Sequence, residues 1–264
     1  MEDKIIIKSL ANNHIKEITK LNIKKYSKDS DVFLVEGKHL VDEAYKRNLL
    51  DEVLSVDDVN YPGVKTVYVT FDIIKKITDT LNPQGIVGLV RKNKYDIDYA
   101  KTKKIIILDS ISDPGNMGTI IRTAAGFGFD LIVLSEDCVD LYNSKVIRAT
   151  QGAIFNTNII CCDIKKNINE LKKEGFIVIG TALYNSKSID DLDIKKNEKV
   201  AFVLGNEASG IKQDILDLCD VNVRIDITNK IESLNVSIAG AIMMFYINKN
   251  IKQWINLKNL YIFF

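Results

Sequence analysis

The sequence predicts an α/β protein with a parallel sheet in its carboxyl-terminal part and a smaller α/β unit before it. Three observations carry this prediction. Continuous apolar runs recur at residues 105–108, 131–134, 176–180 and 200–204, as expected of strands covered on both faces. Stretches with helical spacing separate the runs, and strand–helix alternation is the pattern of a parallel sheet with helices on both sides. A charged stretch at residues 91–104, poor in turns and apolar anchors, places a domain boundary, giving domains 1–98 and 99–264.

In the first domain, residues 12–27 read as one helix with Ile15, Ile18 and Leu21 on one side. A strand at 32–35 precedes a helix at 38–48, whose Leu40, Val41, Ala44 and Tyr45 share a face. Strands at 52–56 and 65–69, a helix at 71–80 and a strand at 86–90 complete the unit. In the second domain the strand at 105–108 runs through a glycine-containing loop into a helix at 118–127. There follow a strand at 131–134, a helix at 144–151, a strand at 155–160, a helix at 164–174 and a strand at 176–180. A strand at 200–204, a helix at 212–218, a strand at 221–225 and a closing helix at 234–250 end the pattern.

Composition bounds the chemistry. Among 264 residues, 46% are hydrophobic, enough for a buried core, and the formal net charge of +1 means that any nucleic-acid surface must be local. Cys138, Cys161, Cys162 and Cys219 form no Cys-x-x-Cys pair, and His14 and His39 are the only histidines. Neither a zinc site nor a disulfide framework is expected, but four reduced thiols in a cytoplasmic protein. The first residues carry charge where a signal peptide needs apolar length. The longest apolar region, residues 236–247, falls short of the ~20 residues of a membrane span. A soluble chain with no membrane partner and no bound metal is expected.

Three blocks carry chemistry. The first, Asp113-Pro114-Gly115-Asn116-Met117-Gly118-Thr119-Ile120-Ile121-Arg122, follows a strand and enters a helix. Gly115 and Gly118 permit tight turns and close approach, and Arg122, one turn beyond Gly118, can point a fixed cation back at a phosphate or ribose. The Gly-x-x-Gly spacing is not the Gly-x-Gly-x-x-Gly of a dinucleotide turn, and purely structural loop glycines are the alternative. The second block, residues 202–210, ends a strand at Gly205 and places Glu207 two residues on, where α/β sheets deliver ligands; a plain helix start with Glu207 at its positive end is the alternative. The third, residues 225–237, is a polar loop between apolar flanks, with Ser233 as a helix cap and Asn235 and Ser237 inside an apolar helix. It suits either capping with satisfied polar groups or a main chain that reads a flat heterocycle.

Together the blocks resemble the TrmH-type branch of the SPOUT methyltransferases over residues 104–250. The matching positions are Asn116, Gly118 and Arg122, then Gly205, Glu207 and Gly210, then the run Ser233-Leu234-Asn235-Val236-Ser237. The resemblance implies a deep trefoil knot in the carboxyl half, which periodicity does not predict because knots are very rare. It implies a homodimer through the carboxyl-terminal domain, with S-adenosyl-L-methionine (AdoMet) bent into the knot and Arg122 at a site shared with the partner chain. The implied donor contacts are Leu204, Gly205, Ile225, Ile227 and Leu234, with Thr181 and Ala182 beside them. Two positions depart from the family: Asp226 replaces a proline and Asn229 a glycine. Asn tolerates a left-handed backbone, and Asp226 is expected to bring charge near the sulfonium.

Lys16, Lys20, Lys24 and Lys28 recur every four residues and are expected to form a ridge along one helix face. With Lys8, Lys25 and Asn13 nearby, and Glu17 the only acid between Lys4 and Lys28, the patch suits an RNA backbone; a solvated face is the alternative. His14 reads as a lone surface histidine. Residues 13–26, 33–37, 40–44 and 83–85 resemble the ribosomal-protein-like substrate domain of the same enzymes.

The implied activity is methyl transfer from AdoMet to a ribose 2'-hydroxyl, in ribosomal RNA rather than transfer RNA. Arg122 would organise and stabilise, Asn116 position it or the ribose, Glu207 hold the loop or orient Arg122, and Ser233 and Asn235 complete the pocket. The competing readings are a transfer-RNA methyltransferase, a catalytically silent RNA-binding relative and a Rossmann-type nucleotide enzyme.

Overall fold

The computed structural model describes residues 6–195 and 198–251. The apolar tail at 257–264, a candidate packing element, lies outside the described residues. The chain divides into two compact units. The first takes the described residues up to Asp96 together with Ser112–Ala125 and Cys138–Ile159; the second takes Ile97–Ile111, Gly126–Asp137 and the described residues from Ile160 on. The first unit therefore draws on two stretches of the carboxyl-terminal part of the sequence.

The first unit contains β1 (Ile6–Ile7), α1 (Asn13–Lys20), α2 (Lys24–Asp29), β2 (Val32–Glu36), α3 (Lys38–Lys46), β3 (Leu50–Ser55), β4 (Lys65–Val69), α4 (Phe71–Ile77) and β5 (Ile86–Arg91). The sheet order is β1-β4-β3-β5-β2. β1, β4 and β3 run parallel, whereas β5 is antiparallel to both β3 and β2. Ile15 and Ile18 of α1 meet Ile73, Ile74 and Ile77 of α4 over Leu54, Val67 and Val87 of the sheet. Cutting any of these isoleucines to alanine should cost about 2–5 kcal/mol.

Two further helices belong to this unit: α5 (Pro114–Phe127), as far as Ala125, and α6 (Ser144–Thr150). α5 opens on Pro114, whose missing N–H and fixed φ suit a first helical position. Asp113 precedes it and accepts from the Asn116 N–H at 2.7 Å. Gly115 thus lies within the helix, not in the loop that was expected, and Gly118 lies inside the helix rather than at its start. Gly118 serves close approach: a Cβ there would stand 2.3 Å from Ala149 Cβ and 2.8 Å from the Val146 carbonyl oxygen.

The helix expected over 12–27 is two helices. Residues 21–23 form a turn between them, which ends with Ile23 extended at φ −103°, ψ 119°. The Asn22 side chain donates to the Ile77 carbonyl at 2.9 Å, a tertiary bond that an apolar period does not reveal. Of the expected strand 155–160 only residues 159–160 fall in a strand, which runs over Ile159–Cys161, and Ala153–Phe155 form a 3-10 turn behind a left-handed Gly152.

The second unit holds β6 (Lys104–Leu108), β7 (Leu131–Leu134), α7 (Ile164–Lys173), β9 (Phe176–Thr181), β10 (Lys187–Ser188), β11 (Lys199–Leu204), α8 (Gln213–Leu216), β12 (Val221–Arg224) and α9 (Val236–Ile251). Its sheet, completed by β8 (Ile159–Cys161), has the order β10-β12-β9-β11-β6-β7-β8. Every pairing from β10 to β7 is parallel. Ile105, Ile107, Val178, Ala201 and Val203 carry one face of the sheet into a core with Ile164, Ile168 and Leu171 of α7. Chain order reverses about β6: β7 follows it on one side and β11 pairs on the other. Such a switch point opens a crevice at the carboxyl ends of the strands, where α/β proteins bind ligands. Among the described residues no helix is long and apolar enough to cross a membrane.

Candidate active site

A cavity of about 610 Å³ lies at the carboxyl ends of β9, β11 and β12. Its wall contains Thr181, Ala182, Leu204, Gly205, Ile225, Ile227 and Leu234, the seven positions expected to hold a donor, together with Glu207, Ser233 and Asn235. Three stretches distant in sequence thus meet around one space.

Each stretch has a local cause. Thr181 Oγ1 donates to the Val203 carbonyl at 2.8 Å and the Ala182 N–H to the Val223 carbonyl at 2.9 Å, which ties the end of β9 to β11 and β12. After β11 the chain turns at Gly205, which has no room for a side chain: a Cβ would stand 2.2 Å from both Gly210 C and Ile211 N. Asn206 organises the turn. Its backbone exchanges two hydrogen bonds of 2.9 Å with Gly210, and its Oδ1 accepts from the Ala208 and Ser209 N–H groups. Gly210 is left-handed at φ 71°. Glu207 is exposed on this turn, and no helix starts there. Sequence reasoning gave Asn206 no role; the signal was the tendency of Asn to bond backbone N–H groups two residues on.

After β12, Ile225 and Ile227 are half-buried while Asp226 between them is exposed. Asp226 is not part of the cavity wall, although its neighbours Ile225 and Ile227 are. The Ser188 hydroxyl and the Arg224 guanidinium, 2.8 Å away at Nε, hold its carboxyl below the usual range. Asn229 adopts no left-handed conformation. The cap of α9 is Asn235, not Ser233: Asn235 Oδ1 accepts from the Ser237 N–H at 2.9 Å and the Ser237 hydroxyl at 2.6 Å. Helix α9 opens at Val236, so Ser233 stands two residues too early to cap it.

The cavity wall includes neither Asn116 nor Arg122. Both lie on α5 in the first unit, Asn116 half-buried and Arg122 exposed. Arg122 stands nine residues into α5, counting from Pro114, rather than one turn from its start. Its guanidinium pairs with no carboxylate among the described residues.

Lys8, Asn13, Lys16, Lys24 and Lys28 are exposed and Lys20 half-buried. The break at 21–23 places Lys16 and Lys20 on α1 and Lys24 and Lys28 on α2, so they form no continuous ridge. Lys20 bonds Glu17 at 2.7 Å, and that carboxylate raises its pKa. Sequence reading overlooked Tyr26, which is exposed with the ammonium groups of Lys20 and Lys25 5.8 and 5.9 Å from its ring centre. His14 is not a lone surface histidine: its Nε2 lies 2.5 Å from the buried Glu52 carboxylate, whose other oxygen accepts from Lys65 at 2.9 Å.

Comparisons with known proteins show the family. Residues 103–245 match the SpoU rRNA Methylase family, and residues 12–88 match the MRM3-like substrate binding domain. The chain is 33% identical over 247 residues to 23S rRNA (guanosine(2553)-2'-O)-methyltransferase RlmP of Bacillus subtilis, covering 91% of this chain and 98% of that relative. Its fold superposes on an AdoMet-bound rRNA methyltransferase from Sinorhizobium meliloti with a TM-score of 0.83 at 29% identity, over 92% of this chain and 97% of the other. The SpoU methyltransferase AviRb from Streptomyces viridochromogenes, at 19% identity and a TM-score of 0.79 over 90% of this chain and 97% of its own, shares the fold. With more than half of its length matched by the first of these families, the chain belongs to the SpoU rRNA methylases and carries an MRM3-like substrate-binding domain ahead of the methylase domain.

Proposed function

We infer that this protein is an AdoMet-dependent RNA methyltransferase that methylates a ribose 2'-hydroxyl of ribosomal RNA. The observation that carries the reading is the cavity at the carboxyl ends of the parallel strands β9, β11 and β12, walled by the second and third family blocks. Near-complete coverage of a relative named for that reaction supports it.

The residues present fit the donor. The volume, about 610 Å³, lies within the range of small-molecule sites. Leu204, Ile225, Ile227 and Leu234 offer apolar contact to a flat ring, and backbone groups at Gly205 and around Ile225 offer hydrogen bonds. Asn222 Oδ1, on a wall residue, is buried with no hydrogen-bond partner, an unmet acceptor suited to a ligand with N–H donors. AdoMet supplies an electrophilic methyl group on a sulfonium with a good leaving group.

The protein's task is then to orient the ribose and accommodate the proton. A guanidinium has five donors and no acceptor, so Arg122 does not serve as the base. Its exposed guanidinium, unspent on any described carboxylate, stabilises charge that develops on the attacking oxygen. The proton leaves to water or an RNA phosphate. Asn116 positions the arginine or the ribose, and Glu207, exposed on the cavity turn, holds the loop or orients Arg122. Ser233 and Asn235 complete the wall, Asn235 through its hold on the start of α9.

The working form in this reading is a cytoplasmic homodimer with a knotted carboxyl half, in which Arg122 serves a site shared with the partner. Ile238 and Phe245 support it: both are more than half exposed on α9, an apolar face in need of cover. The four cysteines, none of them in a disulfide, accord with a reducing compartment. The lysines at positions 8, 16, 20, 24 and 28, with Asn13, would hold RNA phosphates.

Calorimetry with AdoMet, and transfer of its labelled methyl group to unmodified ribosomal RNA, test the reading. Binding and a new 2'-O-methyl nucleotide are expected. Tight AdoMet binding without transfer to any ribosomal RNA would leave a silent binder instead.

A further inference from the structure

The end of β6 carries a polar cluster with no task so far. Asp109 follows the apolar strand and is fully buried. Its Oδ2 accepts from the Lys212 backbone N–H at 2.9 Å, and its Oδ1 lies 3.0 Å from Ser110 Oγ and 3.4 Å from Lys212 Nζ. Ser110 is left-handed at φ 59°, a conformation that side-chain-bearing residues keep only where the surroundings enforce it. Its N–H donates to Ser135 Oγ and its carbonyl accepts from Asn206 Nδ2, both at 2.8 Å. Its hydroxyl is shared between Asp109 and Asp137. Asp137 accepts from Lys212 Nζ and Ser135 Oγ, which hold its carboxyl far below the usual range.

Residues 206–212 are therefore pinned at two points. Asn206 is held by the Ser110 carbonyl, and Lys212 by the Asp109 carboxylate. Between the pins runs the turn that forms part of the cavity wall, while Asp109, Ser110, Asp137 and Lys212 themselves stay out of the wall. A buried carboxylate is costly unless its oxygens are paired. Here the pairing is complete only with the loop docked, because lifting it removes both Lys212 donors at once.

We propose that Asp109 is a positioning residue for donor binding: its buried carboxylate, acting through the left-handed Ser110, clamps the 206–212 loop in the form that completes the wall of the cavity. The proposal rests on the reading of that cavity as the AdoMet site. A carboxylate that merely supports the fold would change stability and leave the affinity of the folded protein alone.

Two substitutions in the full chain separate these cases, read by calorimetry with AdoMet, by steady-state kinetics on ribosomal RNA and by thermal denaturation. Asp109→Asn should raise the Kd and KM for AdoMet about tenfold or more, with KM for RNA and kcat at saturating AdoMet within about twofold. Ser110→Gly suits the backbone conformation and deletes the hydroxyl; it should raise the Kd about threefold with no fall in Tm. Folded Asp109→Asn protein that binds AdoMet like the parent overturns the proposal. If that variant does not fold, parental affinity in Ser110→Gly overturns it. An unaltered protein that binds no AdoMet overturns the cavity reading and this inference together, whereas parental binding with indifferent variants removes the clamp alone.

Discussion

The cavity at the ends of β9, β11 and β12 and the cationic surfaces of the first unit are built on opposite plans. The cavity is backbone packed on backbone: Gly205 lies so close to Gly210 and Ile211 that a single methyl has no place. Arg122 and most of the lysines are exposed side chains whose removal leaves the core untouched. In the first region a small addition should ruin structure and binding together. In the second, large deletions should spare structure and change only function.

The largest expected effect sharpens that contrast. Arg122→Ala should lower methyl transfer by about 10²–10³-fold, the scale seen when one stabiliser of developing charge is removed. Its Tm and AdoMet affinity should match the parent, since the side chain pairs with no described carboxylate. A variant with retained kcat breaks the assignment.

The next effect comes from the opposite side. Gly205→Ala adds one methyl, 2.2 Å from two backbone atoms that cannot swing away as a side-chain tip can. Overpacking of this kind costs about 1–3 kcal/mol. Here the loop should yield first, so AdoMet binding should fall sharply and the melting temperature should drop with it. Normal calorimetry for this variant would mean that the cavity wall is looser than its backbone distances indicate.

Legibility in the sequence follows the same division. The parallel sheet was readable because double coverage imposes uninterrupted apolar runs, and the strand at 131–134 coincides with β7. β1 and β10 were not, because two residues carry no period. The helix over 12–27 looked continuous because the apolar spacing persists through the break, which a distant bond from Asn22 to the Ile77 carbonyl accompanies. All seven expected donor contacts meet at one cavity, but family resemblance chose them; periodicity alone left each block ambiguous. The cap at Asn235 was missed because Ser233 is an equally good capping residue by type, and only the helix start decides between them. Asp109 was invisible: a carboxylate after an apolar run reads as a strand end unless its partners 103 residues away are known.

The lysines give a smaller and graded effect. Lys16→Gln, Lys24→Gln and Lys28→Gln should each weaken RNA binding a few-fold and reduce the slope of log affinity against log salt by about 0.7–0.9. Lys20→Gln should do less, because Glu17 already neutralises that ammonium at 2.7 Å. Filter binding across a salt series measures both quantities. Equal losses for Lys20 and Lys24 would show that the Glu17 contact yields to RNA at no cost.

The smallest effect concerns one side-chain contact of the first unit and its response to pH. Asp79 accepts from Ser144 Oγ at 2.5 Å and from Arg148 at 2.9 Å. Partial burial pushes its carboxyl upward, but these two hydrogen bonds and the arginine's charge outweigh it, and the pKa lies below the ordinary 3.8. A depressed carboxylate stabilises the fold fully above its unfolded value and loses that contribution as pH falls through the folded one. Since about half of the Asp79 side chain is exposed, solvent screening limits the contact to roughly 0.2–1 kcal/mol. Asp79→Asn should therefore be slightly less stable than the parent in urea at pH 7, and the difference should fade below pH 3.8. Subtracting the two curves removes the acid response of every other carboxylate. A difference that persists unchanged at pH 3 would mean that the contact holds by shape rather than charge, and that even the exposed first-unit surface shares something of the cavity's construction.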